Sequence, residues 1–211
     1  MDTKKCNYED EVKRLAANLV DIRVLSEEFE IELKYASKDN FIGREIYSRP
    51  LCAMQKSTAY KLIKANEELM KKGLRIKIWD AYRPFSAQKL MWDIMPLHDF
   101  VADPNKGGSI HNSGYAVDVT LVDTSGQELE MPTGFDDFSE KASRKSSEMT
   151  EAAAKNLAVL TDAMVRHGFR TINTEWWHYY DEDLKERVPL DISFEAIAGY
   201  EPSDKDNICE L

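Results

Sequence analysis

The chain has 211 residues, 43% of them apolar, and a formal charge of −10. That is enough apolar material for one self-supporting core, and it lacks the basic footprint that binding nucleic acid requires. Cys6, Cys52 and Cys209 are too sparse for a disulfide framework or a cysteine-ligated zinc, and no window of 18 apolar residues exists to span a membrane.

The opening MDTKKCNYED lacks the apolar stretch of a signal peptide, which points to the cytoplasm. The alternative is an exported protein whose signal has been removed, with Cys6 near a former lipid-anchor site. Residues 8 to 25, within an N-terminal helical region of 1–28, repeat apolar side chains at three and four (Val12, Leu15, Ala16, Leu19, Ile22) and predict a helix. Phe29, Ile31, Leu33 and Tyr35 alternate and predict a strand. Residues 55–72 predict a second helix that stops at Gly73. Leu74-Arg75-Ile76-Lys77-Ile78-Trp79 alternates apolar with basic, a half-buried strand, and Asp80-Ala81-Tyr82-Arg83-Pro84 ends it. Ser86 is the expected cap of a short helix reaching Ile94. Residues 96–108 read as irregular, 116–122 as a β-branched strand, and 124–147 as a long loop. Residues 148–167 predict a strong helix stopped by Gly168, followed by an aromatic strand over 176–180. From about residue 190 polarity rises, and 190–211 is expected to be a loose tail. With no repeat and no linker, residues 1–211 read as one α+β domain: a mostly antiparallel sheet flanked by helices, with its site at the sheet edge and loops.

Three segments carry chemistry. In Ser109-Ile110-His111-Asn112-Ser113-Gly114-Tyr115-Ala116-Val117-Asp118 a glycine turn lets His111 swing toward Asp118, and imidazole and carboxylate are both zinc ligands. Glu175-Trp176-Trp177-His178 adds a second histidine with a glutamate three residues earlier. Residues three apart on a regular strand face opposite ways, so either the chain bulges or Glu175 precedes the strand. Three protein ligands would leave the fourth zinc position open, the catalytic pattern, with Glu175 taking a proton from water. Arg83, just past a strand end, is placed to stabilise an oxyanion, with Asp80 to orient it. His98 and His167 carry no partner motif, and the tryptophans read as core or pocket wall.

The pattern S-x-H-x-x-G-x-A-x-D followed by E-x-x-H resembles the D-alanyl-D-alanine metallopeptidases. The dipeptidase branch is matched further at Tyr35-Ala36-Ser37-Lys38-Asp39-Asn40-Phe41-Ile42-Gly43, at Asp80-Ala81-Tyr82-Arg83-Pro84, and over 109–121 and 131–136. The resemblance implies one Zn2+ on His111, Asp118 and His178, Glu175 as base and Arg83 as transition-state stabiliser. It also implies Asp136 on the substrate's amine, Tyr35 beside the same pocket, and Ser109 near the substrate's carboxylate. The chain departs from the branch at Ile110, where a second serine is usual, and at Pro132, where glycine usually follows the methionine; both bear on which dipeptide is preferred. The implied activity is hydrolysis of a small dipeptide, D-alanyl-D-alanine. A D,D- or L,D-carboxypeptidase acting on longer peptidoglycan peptides is the alternative, and a non-catalytic zinc-containing binding module is the reading from another class.

Overall fold

A computed structural model of the chain describes residues 3–47, 49, 51–96, 100–185 and 187–198. Its elements in chain order are α1 (Thr3–Ala17), β1 (Leu19–Asp21), β2 (Glu30–Ile31), β3 (Ala53–Gln55), α2 (Lys56–Met70), β4 (Leu74–Asp80), α3 (Phe85–Ile94), β5 (Ala116–Asp123), α4 (Glu151–Arg166), β6 (Phe169–Thr171), β7 (His178–Asp181) and α5 (Phe194–Ala198). Five strands form one sheet in the order β2-β4-β5-β7-β6, while β1 and β3 pair in a small second one. Only β2 runs parallel to its neighbour, so the main sheet is mostly antiparallel, as predicted.

The central strand explains the layering. Strand β5 is buried along nearly its whole length. Alternation puts Val117, Val119 and Leu121 on one face, where they join Leu62, Ala65 and Leu69 of α2 and Leu157, Leu160 and Met164 of α4. Asp118 and Thr120 occupy the opposite positions. A second apolar cluster gathers Leu15 of α1, Tyr35, Tyr82, Met91 of α3, and Leu190, Phe194 and Ile197 from the C-terminal segment. Cys52 is buried, as expected of a small core residue. No helix among the described residues is long and apolar enough to cross a membrane.

Several elements differ from their sequence patterns. The N-terminal helix stops at Ala17, because Leu19 and Ile22 are buried by β1 pairing with β3 and by a 3-10 turn over Ile22–Val24, which Asp21 caps through the Arg23 N–H. The 29–35 alternation yields only β2, and Tyr35 turns into a 3-10 helix over Lys34–Ala36. Ser86 is inside α3 rather than at its cap; Asp191 caps that helix from far along the chain, accepting the Ser86 N–H at 2.8 Å. Residues 190–198 are docked rather than loose. Leu190, Phe194 and Ile197 are buried, and the Tyr82 hydroxyl bonds the carbonyls of Leu190 and Ile192 at 3.1 Å. The rest of the expected tail, together with Cys209 and His98, falls outside the described residues. Residues 124–147 do form a long loop, interrupted by one 3-10 turn at Glu140–Ala142.

Leu62 is fully buried between the sheet and α4, and Val165 on α4 is 52% exposed. Leu62→Ala is therefore expected to lower unfolding free energy by about 2–5 kcal/mol, and Val165→Ala by no more than about 0.5 kcal/mol. Urea denaturation checks this; equal losses would contradict the assigned core.

Candidate metal centre

His111 sits on a 3-10 turn, Ile110–Ser113, closed at both ends. Ser109 caps it in a reciprocal box with Asn112, and Gly114 leaves it at φ 76°, where a Cβ would lie 2.6 Å from the Leu19 side chain. The Arg83 N–H bonds the His111 carbonyl at 3.1 Å, and the Asn112 amide bonds the Arg83 carbonyl at 2.8 Å, which ties the turn to the end of β4. His111 Nδ1 lies 2.7 Å from the Ala81 carbonyl, so Nδ1 carries the proton and Nε2 is free to ligate.

Sheet register supplies the other two candidate ligands. Asp118 of β5 is the cross-strand partner of Asp80 on one side and of His178 on the other. His178 opens β7, and Glu175 precedes the strand in a turn, the second of the two sequence expectations. His111 Nε2 stands 3.1 Å from His178 Nδ1 and 3.3 Å from Asp118 Oδ2, and His178 Nδ1 is 3.0 Å from Asp118 Oδ1. Zinc bonded at about 2.0–2.2 Å with tetrahedral angles separates its ligands by roughly 3.3–3.6 Å. The three buried donors thus stand close to the spacing one such ion imposes, in the wall of a cleft.

The cleft has a volume of about 260 Å³ and is lined by all three donors with Glu175, Asp136, Arg83, Ser109 and Tyr35. This is smaller than the roughly 300–1,000 Å³ of drug-sized sites. It gathers three carboxyl groups, Asp118, Asp136 and Glu175, in one place. At Asp118 burial opposes ionisation, but His111 and His178 hold it well below the usual carboxylate range. Burial, reinforced by Asp118, pushes Glu175 up to about 8 and Asp136 up to about 7. At His111 burial works against the charged ring, yet Asp118 wins and keeps its pKa raised; at His178 burial wins and the pKa falls. Clustered carboxylates that suppress one another's ionisation, beside two imidazoles, make a site for a cation.

Arg83 is 8% exposed and held by two neighbours. Its Nε and Nη2 donate to Asp80 Oδ2 at 3.1 and 2.7 Å, and Nη1 donates to Gln88 at 2.8 Å. Asp80, fully buried, also accepts the Tyr47 hydroxyl at 2.7 Å. The guanidinium lies 4.9 Å from the Tyr35 ring centre. Asp136 reaches the cleft despite Pro132, helped by a left-handed backbone at φ 55°. Its Oδ1 accepts the Tyr35 hydroxyl at 3.1 Å, while Oδ2 is buried without a partner. The Ser109 hydroxyl oxygen is engaged by the His111 N–H at 3.3 Å. Gln88 and Tyr47, which hold Arg83 and Asp80, were not singled out from sequence; nor were Phe41, Phe100 and Phe138, which wall the cleft, or Arg187 at its rim. An isolated glutamine, phenylalanine or arginine carries no local pattern.

The family model described as D-ala-D-ala dipeptidase matches residues 15–194. The chain belongs to that family. Its relatives include the D-alanyl-D-alanine dipeptidase of Escherichia coli (strain K12), 38% identical over 161 residues, covering 76% of this chain and 83% of that protein. The enzyme of the same name from Enterococcus faecalis is 31% identical over 169 residues, 70% of this chain and 83% of its own length. That of Streptomyces coelicolor is 29% identical over 184 residues, 78% and 90% respectively. The family match contains every cleft residue named above.

Metal affinity should depend on pH with a sign set by His111. That ring must shed its proton to bind, and Asp118 holds its pKa above the ordinary imidazole value of about 6.5. Zinc affinity is therefore expected to keep rising with pH beyond the point at which an ordinary imidazole has lost its proton. Competition with a chromophoric chelator measures it; affinity that levels off below about pH 6.5 would contradict the assignment.

Proposed function

We propose that this protein is a zinc metallopeptidase that hydrolyses a small dipeptide, D-alanyl-D-alanine, with His111, Asp118 and His178 as metal ligands and Glu175 and Arg83 as the catalytic groups. The observation that carries the reading is the unpartnered Oδ2 of Asp136, in a small cleft that also holds three buried ligand atoms. A buried carboxylate oxygen without a donor is costly unless an incoming group satisfies it. A free ammonium does so with a full charge and several donors; an acylated nitrogen offers one neutral N–H and no charge.

A zinc ion on these ligands supplies a Lewis acid and brings the pKa of water down toward 7. Glu175, 4.0 Å from His178 Nδ1, is adjacent to the cluster, and it accepts the proton of the attacking water and returns it to the leaving amine. Its raised pKa in the absence of cations falls when positive charge enters the cleft, which leaves it ionised to act as base. Arg83, fixed by Asp80 and Gln88 before substrate arrives, donates to the carbonyl oxygen as it gains charge. Asp136 and the Tyr35 hydroxyl hold the ammonium end. Ser109, at the mouth of the His111 turn, lies at the substrate's carboxylate end.

A carboxypeptidase acting on longer peptides has one observation in its favour. A second cavity of about 460 Å³ meets the first at Phe100, Phe138 and Thr174. The two readings separate on one comparison. D-alanyl-D-alanine should be hydrolysed far faster than its N-acetyl form, and Asp136→Asn should narrow that gap by raising KM for the free dipeptide. Indifference to acetylation would favour the carboxypeptidase.

Glu175→Gln should lower kcat by about 10²–10⁴-fold while one zinc per chain stays bound. Arg83→Lys should cost about 10²–10³-fold, since one ammonium replaces an oriented fork. Metal-supported turnover that survives Glu175→Gln would remove Glu175 from the mechanism, and a zinc-loaded protein with no turnover on any dipeptide or longer peptide would leave only the binding-module reading.

A further inference from the structure

Strands β6 and β7 form a hairpin whose ladder ends at the Thr171–Tyr179 pair. Beyond it the loop of residues 172–177 opens, and that loop carries Glu175. The carbonyls of Ile172, Trp176 and His178 there have lost the partner strand that would otherwise bond them. Arg144, from the long loop, fills this gap. Its Nε donates to the Ile172 carbonyl at 3.0 Å. Its Nη2 donates to the carbonyls of Trp176, at 2.5 Å, and His178, at 3.2 Å. Its Nη1 donates to Thr161 Oγ1 at 3.0 Å and to the Tyr179 hydroxyl at 3.2 Å. A guanidinium has five N–H donors, and these five bonds use them all.

The placement is specific to the reacting turn. On the other edge of β7, the Val119 N–H of β5 bonds the Trp177 carbonyl at 3.1 Å. Trp177 is thus held from β5, while Trp176 and His178 are held from the opposite side by one side chain. The backbone adds two bonds, Trp176 N–H to the Ala142 carbonyl at 3.1 Å and Arg144 N–H to the Asn173 carbonyl at 2.9 Å. The guanidinium also lies 4.4 Å from the Tyr179 ring centre, which fixes its plane. Glu175 and His178, three apart in sequence, reach one centre only because the chain turns between them. Arg144 holds the carbonyls on both sides of that turn.

We infer that Arg144 is a positioning residue for hydrolysis: its five-donor fork splays the β6–β7 hairpin and so fixes Glu175 relative to His178. The inference rests on the reading of Glu175 as the base. Arg144 touches neither metal ligand atoms nor substrate, so its effect passes through the angle and distance of Glu175. A lysine, with three donors on one flexible atom, cannot span the same acceptors.

The test uses the full chain with zinc loaded and D-alanyl-D-alanine as substrate. Arg144→Ala and Arg144→Lys are both expected to lower kcat by about 10–100-fold, with KM and zinc stoichiometry close to the parent protein. Added methylguanidinium should restore part of kcat in Arg144→Ala and leave the parent unaffected. In a Glu175→Gln background, Arg144→Ala should cause no further loss, because the two act through one step. Thr161→Val, which removes one acceptor from Nη1, provides a milder variant that keeps the fold, expected to show a smaller drop in kcat at unchanged KM. Full kcat in Arg144→Lys overturns the inference, as does a loss that tracks zinc content and ignores methylguanidinium. If Glu175→Gln is inactive while the Arg144 variants are fully active, the inference fails alone; if Glu175→Gln is itself active, the base reading fails first.

Discussion

The structure turns on carboxyl groups concentrated where water cannot dilute their charge. Asp80, Asp118, Asp136 and Glu175 converge on one end of the sheet, and Asp80 and Asp118 are almost fully buried. Each is handled differently. Asp80 is neutralised by Arg83 and the Tyr47 hydroxyl, Asp118 by two imidazoles, and Asp136 and Glu175 by nothing strong enough to keep them in the ordinary carboxylate range. A pocket with this imbalance is poised to take up cations, because each one that enters relieves a cost already built into the fold.

The scaffold keeps that imbalance from collapsing. Asp80, Asp118 and His178 lie in register across three adjacent strands, so their spacing is set by backbone ladders rather than by flexible side chains. His111 comes from a turn tied to Arg83 by two bonds, the Arg83 N–H to the His111 carbonyl and the Asn112 side-chain amide to the Arg83 carbonyl, and the docked segment adds the Leu190 N–H on the Asn112 carbonyl at 2.8 Å. That segment packs into the second apolar cluster, which also buries Tyr35, Tyr47 and Tyr82. The apolar core on the other sheet face holds the strands; this cluster holds the loops.

How much of this could be read from the sequence follows from the range of each interaction. The helices at Lys56–Met70 and Glu151–Arg166 announce themselves because their apolar spacing and glycine stops are local. The motif containing His111 and Asp118 is legible for the same reason, as is the need for either a bulge or a strand that starts after Glu175. What escaped is carried by distant partners. Asp191 capping α3, the burial of Leu190 and Phe194, and the pairing of β1 with β3 are choices that tertiary contacts make against weak local preference. Arg144 is the extreme case. Three of its five acceptors are main-chain carbonyls, so no residue type in the sequence marks where its fork will close.

On the proposed reading, selectivity for a free amine is a property of the charged cleft as a whole rather than of Asp136 alone. Without cations Asp136 has a pKa of about 7, so near neutrality it can meet a blocked nitrogen by taking up a proton at little cost. A dication among the nearby ligands lowers that pKa, and each unit by which it falls below the ambient pH adds about 1.4 kcal/mol to the cost of accommodating a neutral end. The same shift strengthens the pairing of Asp136 with an ammonium. On the proposed reading, metal occupancy and recognition of the substrate's amine are coupled through one carboxylate, and the site would discriminate against a blocked amine more strongly with the metal bound. A cleft built with a neutral hydrogen-bonding group in place of Asp136 would bind the dipeptide, but it would lose that coupling.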